Sequence, residues 1–218
     1  MPLSGKGMLI TFMDADPNEE ADFNKWYDKE HLIERVSIPG FLEARRYVAV
    51  AAEPKYLNFY TTDAIDALRS PDYLQALGNP TPRTRHHMPK FRNFTRAAAR
   101  VTASKGQGRG GALTFNRFRP PGTNASALRN AILAELDAVV SLDQIISAHL
   151  LESDPELSKP PDSTSPEPGA ADWYMVVEGT DPQFVRQLFG RRTLLSQFEP
   201  ISFGTYRLLW DLHKAELS

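Results

Sequence analysis

The chain has 218 residues, of which 41% are hydrophobic and 24% charged, and its formal net charge is −2. This ordinary globular composition favours neither nucleic acid nor a membrane surface as a partner. The chain contains no cysteine, which excludes disulfides, thiolate metal sites and cysteine nucleophiles and is consistent with a cytoplasmic location. We also expect no signal peptide and no membrane span, because no basic segment precedes a long apolar run.

The first half of the chain predicts a β-α-β-β-α-β order. An apolar run at Met8 to Met13 is typical of a buried strand, and the following Asp16, Pro17 and Glu19 suit the start of a helix that runs to Val36. The other predicted elements of this half are strands at Phe41 to Val50, Tyr56 to Thr62 and Phe91 to Val101, and helical turns at Asp63 to Arg69 and Pro71 to Leu77.

The second half repeats this order, and both halves begin with a similar strand, GMLITF at residue 7 and GALTF at residue 111. Its predicted elements are strands at Ala112 to Phe118, Gln144 to Leu151, Trp173 to Glu178 and Ile201 to Leu209, and helices at Ala125 to Val140 and from Asp181-Pro182. The sequence therefore predicts an α+β fold of tandem ferredoxin-like repeats, βαββαβ twice, at residues 1–103 and 112–218.

Two segments are expected to be irregular. Residues 104–111 are glycine-rich and read as a linker; they do not suit a phosphate loop, because a strand follows where a helix N-terminus is needed. Residues 153–171 are polar and acidic and contain five prolines, so we predict a mobile loop inside the second repeat.

The first helix carries the main candidate site. On a helical wheel Phe23 and Trp26 belong to an apolar arc that includes Glu30, and an unpaired carboxylate there must be protonated or open to a wet pocket. Tyr27 and His31 flank the arc, with Asp28 spaced to hydrogen-bond the imidazole. The alternative is a core of aromatic side chains beside a solvated charged stripe that includes Asp28, His31 and Arg35, with Glu30 paired to an arginine.

Polar residues on two strands are expected to complete a pocket beneath this helix. Tyr56, Asn58 and Tyr60 share one face of their strand by two-residue alternation, as Arg45 and Tyr47 do on the preceding strand. Asn58 stands out because asparagine is disfavoured in strands, although a structural hydrogen bond explains it equally well.

A basic cluster lies near the end of the first repeat. Its members are Arg83, Arg85, His86, His87, Lys90, Arg92, Arg96 and Arg100, interleaved with Phe91 and Phe94. The overall acidity argues against nucleic acid, and a small anion such as a substrate carboxylate is a better partner for one or two of the arginines. Adjacent His86 and His87 point to different faces of any regular element, so we predict no metal site.

The segment from Trp26 to Arg35 reads WYDKEHLIER and is followed by IPGF at residues 38–41. This pattern resembles the signature helix and turn of EthD-like members of the dimeric α+β barrel superfamily. The resemblance covers the first repeat through Phe91 and the second by element order and its closing Tyr206 to Leu209. It implies that the two repeats pair into a barrel within one chain.

The same superfamily includes cyclases, isomerases, cofactor-free monooxygenases and haem proteins, so the resemblance leaves the reaction open. We predict a cofactor-independent enzyme of the isomerase, cyclase or lyase type, acting by proton transfer on a small hydrophobic or aromatic carbonyl compound. Its predicted catalytic residues are His31 as base, Asp28 as its orienting group, and Glu30 or Tyr27 as acid; its predicted ligand-binding residues are Trp26, Phe23, Asn58, Tyr60 and Arg45.

Two alternatives remain at this stage: a noncatalytic small-ligand binding protein, and a haem-binding or oxygenase-type member of the superfamily. His149 and His213 lie in the second half, whose helix lacks a counterpart of the cluster around His31. We therefore expect one site per chain, which binds a small hydrophobic molecule and no nucleic acid or membrane. The chain is expected to be a monomer with an intramolecular barrel or a homodimer.

Overall fold

The computed structural model describes residues 3–159, 169–191 and 200–217. Its strands are β1 Gly7–Asp14, β2 Phe41–Ala51, β3 Tyr56–Thr62, β4 Arg92–Gly106, β5 Ala112–Phe118, β6 Ile145–Ser153, β7 Trp173–Gly179 and β8 Ser202–His213. Helix α1 consists of an α-helical part at Glu20–Trp26, a π turn at Tyr27–His31 and a second α-helical part at Leu32–Ser37. The other helices are α2 Pro71–Gly78, α3 Pro82–His87, α4 Ala125–Val139, α5 Pro155–Ser158 and α6 Pro182–Arg191, and short 3-10 turns lie at Ile65–Arg69, Met88–Lys90 and Lys214–Glu216.

The strands close into an antiparallel barrel in the order β1-β3-β2-β8-β5-β7-β6-β4. In each half of the chain the fourth strand lies beside the first, the first beside the third and the third beside the second. The halves meet at two seams, β2 with β8 and β4 with β6, so the barrel leaves no sheet edge open. The predicted α+β class is confirmed, as an eight-stranded antiparallel barrel.

Strand alternation separates a barrel interior from an outer layer that the helices cover. In β1, Met8, Ile10 and Phe12 belong to the interior cluster, while Leu9 and Met13 belong to the cluster beneath α1. The interior is rich in aromatic rings, which pack at centroid distances of 5.2 to 6.4 Å around Phe12; they are Phe115, Tyr174 and Tyr206. Burying rings of this size supplies much of the energy that holds such a core together.

Each half has one long helix against its outer face. Helix α1 buries Phe23, Trp26, Leu32 and Val36 against β1, β2 and β3. Helix α4 buries apolar residues at three- and four-residue intervals, the spacing that places them on one face: Leu128, Ile132, Leu136 and Val139. No helix among the described residues is long and apolar enough to cross a membrane.

The start of α1 differs from the predicted capping box. Helix α1 begins at Glu20, because the side chain of Asp16 accepts a hydrogen bond from the backbone of Asn18 at 3.0 Å and holds the chain in a turn. The carboxylate of Glu19 makes no capping bond; both of its oxygens accept from Lys90. A local turn therefore uses Asp16, and a lysine distant in sequence uses Glu19, the two side chains that the pattern assigned to the helix start.

The two irregular segments are also more ordered than predicted. Strand β4 continues through Gly106 beside β6, so residues 104–106 of the predicted linker belong to the sheet. In residues 153–171, Asp154 caps α5 by accepting from the backbone of Glu156 and Leu157. The remaining prolines of that segment, at positions 160, 161, 166 and 168, lie outside the described residues.

Helix α3 was not predicted, because its sequence PRTRHH carries no apolar stripe. Its start does carry a signal, since Thr81 accepts from the backbone of Thr84 and Pro82 occupies the first helical position. This helix packs beside α1, where Thr81 at its start bonds to Glu30 and His86 bonds to Glu19. Met88 of the following turn lines the cavity described next.

Candidate functional site

A cavity of about 170 Å³ lies between α1, the outer face of β1 and β3, and the segment that runs from α2 to β4. Apolar wall residues include Leu9, Met13, Leu77, Met88, Phe91 and Phe94. Polar groups reach the wall from Thr11, Tyr27, His31, Arg35, Tyr60 and Arg96. A cavity of about 150 Å³ is large enough to bind benzene, so this one suits a ligand built on a single ring.

The hydroxyls of Tyr27 and Tyr60 form a hydrogen-bonded pair at one wall, with their oxygens 2.7 Å apart. Alternation in β3 and the start of the π turn bring them together from two elements. Burial raises the pKa of both phenols, that of Tyr60 well above its usual range. Both side chains are therefore neutral near pH 7, and because one hydroxyl donates to the other within the pair, one O–H remains free to donate to a ligand.

His31 lies beside this pair, held between rings. Its imidazole centroid is 4.6 Å from that of Trp26 and 4.8 Å from that of Tyr27. Burial lowers the pKa of His31 to about 4, against a weaker opposing effect of the nearby Glu34 carboxylate, whose Oε2 is 3.8 Å from Nδ1. The imidazole is thus neutral at physiological pH and can accept a proton.

Asp28 and Glu30 do not line the cavity, although the helical wheel placed Glu30 in the apolar arc and the spacing placed Asp28 beside His31. Asp28 accepts from Arg46 Nη1 at 2.5 Å, and Glu30 accepts from the hydroxyl of Thr81 at 2.8 Å with Arg83 at 3.8 Å. The wheel assumed 100° per residue throughout, whereas the π turn at Tyr27–His31 adds a residue to one turn and changes the faces of those that follow. Of the two predictions for Glu30, pairing with an arginine therefore describes its surroundings better than exposure to a pocket.

The other predicted residues under α1 lie behind the wall. Trp26 and Phe23 are buried in the cluster that packs α1 on the sheet, where Trp26 supports His31. Asn58 is fully buried and its amide donates to Thr11 Oγ1 at 3.2 Å, so it supports a wall residue. A hydrogen bond from Thr11 also lowers the pKa of Tyr27 against the larger effect of burial.

Arg45 lies on the opposite face of the sheet, inside the barrel. Its guanidinium binds Glu178 Oε1 at 2.8 Å and Glu43 Oε1 at 3.0 Å, and His149 Nε2 lies 3.2 Å from the same Glu178 oxygen. The alternation that paired Arg45 with Tyr47 is correct, but this pair faces inward, whereas Ala44, Arg46 and Val48 face α1. Both faces of this strand are buried, so a single sequence does not show which face packs against the helix and which faces the barrel interior.

Two arginines of the cavity wall, Arg35 and Arg96, were not among the predicted catalytic or ligand-binding residues. Arg35, on the last part of α1, is only 6% exposed, and Arg96 of β4 is 9% exposed. The sequence placed Arg35 in the WYDKEHLIER segment and in a charged stripe, and neither pattern indicated a place in a cavity wall. For Arg96, the basic cluster pointed to a small anion, which remains a prediction.

Most of the basic cluster is neutralised by carboxylates. Arg83 pairs with Asp22, Lys90 with Glu19, Arg92 with Asp16 and Arg100 with Asp154. These ion pairs leave no continuous cationic track for nucleic acid among the residues described.

Glu19, His86 and His87 bring ligand atoms within 4.8 Å of one another, the grouping in the described chain closest to a metal site. Adjacent His86 and His87 differ in exposure as expected, yet both imidazoles reach carboxylates before or within α1. The ammonium of Lys90 lies 2.8 Å from His86 Nε2 and binds both Glu19 oxygens. This cation occupies the position that a metal ion would need.

Haem, which some superfamily members bind, does not fit these residues. His31 is the cavity histidine, but a cavity that suits one ring is too small for a macrocycle of four pyrroles. His149 is bonded to Ser104 and Glu178 inside the barrel, and His213 lies 3.9 Å from Glu43. No described histidine therefore combines an open ring nitrogen with space for haem.

The fold is similar to several solved structures. An anthrone oxidase-like protein has a TM-score of 0.68 at 10% identity, with 96% of this chain and 93% of that chain covered. A candidate monooxygenase from Fusobacterium nucleatum subsp. nucleatum has a TM-score of 0.63 at 8% identity, covering 97% and 96%. A candidate chlorite dismutase has a TM-score of 0.55 at 8% identity, covering 94% of each chain.

No family model matches the sequence, and no curated protein matches it. At identities of 8 to 10%, the structural likeness shows a shared fold and does not carry over a reaction. The predicted dimeric α+β barrel is thereby confirmed as the fold, closed here within a single chain.

Proposed function

We propose that this chain is a cofactor-independent enzyme that binds a small aromatic or carbonyl-bearing molecule beside α1 and moves a proton within it. The observation that carries this proposal is the meeting of a neutral imidazole and a hydrogen-bonded phenol pair at one apolar cavity. An acceptor and one free O–H donor, supported by the second phenol, next to a ring-sized space are the groups that proton abstraction beside a carbonyl requires.

In this proposal His31 accepts a proton from the carbon next to the ligand carbonyl. Tyr27, whose oxygen is bonded to Tyr60, donates to the carbonyl oxygen as negative charge develops there. A base whose pKa is about 4 is weak, so polarisation of the carbonyl by the phenols has to supply part of the driving force. Tyr27 takes the acid role rather than Glu30, which is bonded to Thr81.

The residues proposed to support these groups form a layer behind the wall. Trp26 and Phe23 fix the ring of His31 and the start of the π turn, and Asn58 fixes Thr11. Asp28 holds Arg46, whose guanidinium lies 4.6 Å from the ring centre of Tyr27. Asp28 thus acts on the site through Tyr27, and not through His31.

We further propose that the barrel arose from two fused ferredoxin-like repeats, residues 1–103 and 112–218, with 104–111 as the junction. The shared strand order of the two halves supports this origin. Helix α4 offers aliphatic residues where α1 offers Tyr27 and His31, which supports one site per chain.

The experiment is proton exchange measured by NMR in D₂O on a panel of single-ring ketones, with acetophenone first. We expect the wild-type chain to accelerate exchange of the methyl protons beside the carbonyl. His31→Gln and Tyr27→Phe should each lower that rate by about 100-fold or more, because each removes one proton-transfer group. His86→Gln, at an exposed histidine outside the cavity, should not change it.

The same measurements separate the rival functions. Saturable binding of these ketones with no exchange by the wild type would sink the enzymatic proposal and favour a noncatalytic binding protein. Proton exchange that persists in His31→Gln but is lost in Glu30→Gln would identify Glu30, and not His31, as the base. Oxygen consumption that depends on the ketone would favour an oxygenase-type member instead.

A further inference from the structure

Arg35 is a buried cation whose side chain has no hydrogen-bond or ion-pair partner among the described residues. It lies in the last part of α1, is 6% exposed and contributes to the cavity wall. Its Nε atom is buried without a hydrogen bond, and the guanidinium makes no ion pair with any described residue. Burying an unpaired charge costs several kcal/mol, so such a group is retained where something else compensates it.

Neighbouring arginines show that the fold satisfies guanidinium groups where it can. Arg46, also buried beside α1, binds Asp28 and Asn24 and lies over three aromatic rings. Arg96, on the far wall, donates to the backbone carbonyl of Leu157 at 2.5 Å. Arg35 differs from both because its side chain makes no hydrogen bond or ion pair with the described residues, although it lines the cavity.

The rest of the wall is complementary to an anion. Two arginines reach the cavity, and no aspartate or glutamate does among the described residues that line it. None of the remaining polar residues of the wall carries a carboxylate, and most of the surface is apolar; these residues are Thr11, Tyr27, His31, Tyr60 and Tyr73. A ligand that fills this space needs one apolar ring and one negative group placed at Arg35.

We propose that Arg35 binds the carboxylate of a single-ring aromatic acid in this cavity. The carboxylate fits because the planar guanidinium presents paired N–H donors that match its two oxygens. This inference rests on the proposed function for the location of the ligand and narrows its substrate class to aromatic acids. It also assigns Arg35 a contact with the ligand that sequence patterns did not indicate.

The test is calorimetric titration of the full chain with benzoate and with benzamide, a neutral molecule of nearly the same shape, at fixed ionic strength. Hydrogen bonds to a charged group contribute about 1.5 to 3 kcal/mol, so we expect benzoate to bind about 10- to 100-fold more tightly. Arg35→Met should remove this preference and leave the affinity for benzamide unchanged. Arg69→Met, at an exposed arginine paired with Asp66, should retain the preference.

The variant also carries its own folding control. If Arg35 lacks an internal partner, Arg35→Met should have an equal or higher midpoint of thermal unfolding than the wild type. A large drop in the midpoint would identify Arg35 as a structural residue and overturn the proposal. Arg35→Lys keeps the charge without the paired donors and should bind benzoate with intermediate affinity.

The outcomes separate this inference from the proposed function. Equal binding of benzoate and benzamide, or a preference that persists in Arg35→Met, would overturn the anion site while leaving the cavity as a ligand site. Absence of binding for both compounds would overturn the anion site and the ligand cavity together. A benzoate preference that depends on Arg35, in a chain without proton-exchange activity, would uphold the anion site and reject the enzymatic role alone.

Discussion

Burial sets the protonation states of the side chains that meet in the cavity beside α1. It lowers the pKa of His31 to about 4 and raises the pKa of Tyr27 and Tyr60, so near pH 7 the imidazole can accept a proton and the neutral phenol pair has one O–H free to donate. The sequence identified Tyr27, His31 and Tyr60 as site candidates. It did not identify what tunes them, because the contact between Trp26 and His31 and the approach of Glu34 depend on the π turn.

The titration of His31 predicts a dependence of stability on pH. The unfolded chain binds a proton at His31 below about pH 6.5, whereas the native chain does so only near its folded pKa of about 4. The contribution of His31 to the free energy of unfolding is therefore fully present above pH 6.5. It is lost as the pH falls from 6.5 to about 4, and the total loss is about 3 kcal/mol. Urea unfolding should show this slope in the wild type.

The matched variants for that measurement are His31→Gln and His86→Gln. His31→Gln should flatten the pH dependence because its amide does not titrate. His86→Gln, at an exposed site, should keep the wild-type slope. Parallel curves for wild type and His31→Gln would contradict the prediction.

At the scale of elements, the π turn decides which side chains of α1 reach the cavity. Apolar spacing predicted the helix and its end before Pro39, and both are correct to within one residue at the C-terminus. A helical wheel with constant 100° steps does not include the extra residue of the π turn. The predicted positions of Glu30 and Asp28 at the cavity were wrong for this reason. Tyr27, at the start of the turn, and His31, at its end, both remain buried.

Deletion of Lys29 tests this role of the π turn. The deletion should convert the turn to regular α-helix and rotate the residues before and after it by about 100° relative to each other. Either Trp26 and Tyr27 or Leu32 and Arg35 then lose their packing, so we expect a loss of about 3 kcal/mol or more in unfolding free energy.

The control for the deletion is Lys29→Ala, because Lys29 is exposed. This substitution should change stability by less than about 0.5 kcal/mol. Circular dichroism should show that helix content is kept in both variants. A deletion variant as stable as the wild type, with unchanged ligand binding, would show that the π turn is dispensable.

At the scale of the whole molecule, an ionic network inside the barrel ties the two halves together. Arg45 of β2 binds Glu178 of β7, and the backbone N–H of Gly110 donates to the other Glu178 oxygen at 3.0 Å. Burial opposes ionisation of Glu178, but bonds from His149 and the charge of Arg45 outweigh it and lower the pKa of this carboxyl. Ionic and hydrogen-bonded contacts among Arg45, Glu178 and His149 thus take the place of apolar contacts in this part of the barrel interior.

Breaking this network should cost far more than breaking an exposed ion pair. Glu178→Gln leaves Arg45 with one fewer counter-charge in a buried setting, and we expect a loss of about 3 to 5 kcal/mol in unfolding free energy. Asp66→Asn, which removes the exposed pair with Arg69, should cost less than about 1 kcal/mol. Chemical denaturation of both variants measures the difference, and equal effects would show that the interior network does not hold the halves together.

The sequence by itself determined the order of the elements, the α+β class and the helix that carries the site, because hydrophobic periodicity and turn residues act over a few neighbouring positions. It also singled out Tyr27, His31 and Tyr60, by their type and spacing. The resemblance implied a barrel within one chain, but only the tertiary structure decided which strands meet at its two seams, that Arg45 faces its interior, and that Arg35 lines the cavity. The orientation of Arg45 depends on which face of its strand packs against a helix, and the orientation of Arg35 depends on the extra residue in the π turn. Packing between segments distant in sequence sets both features.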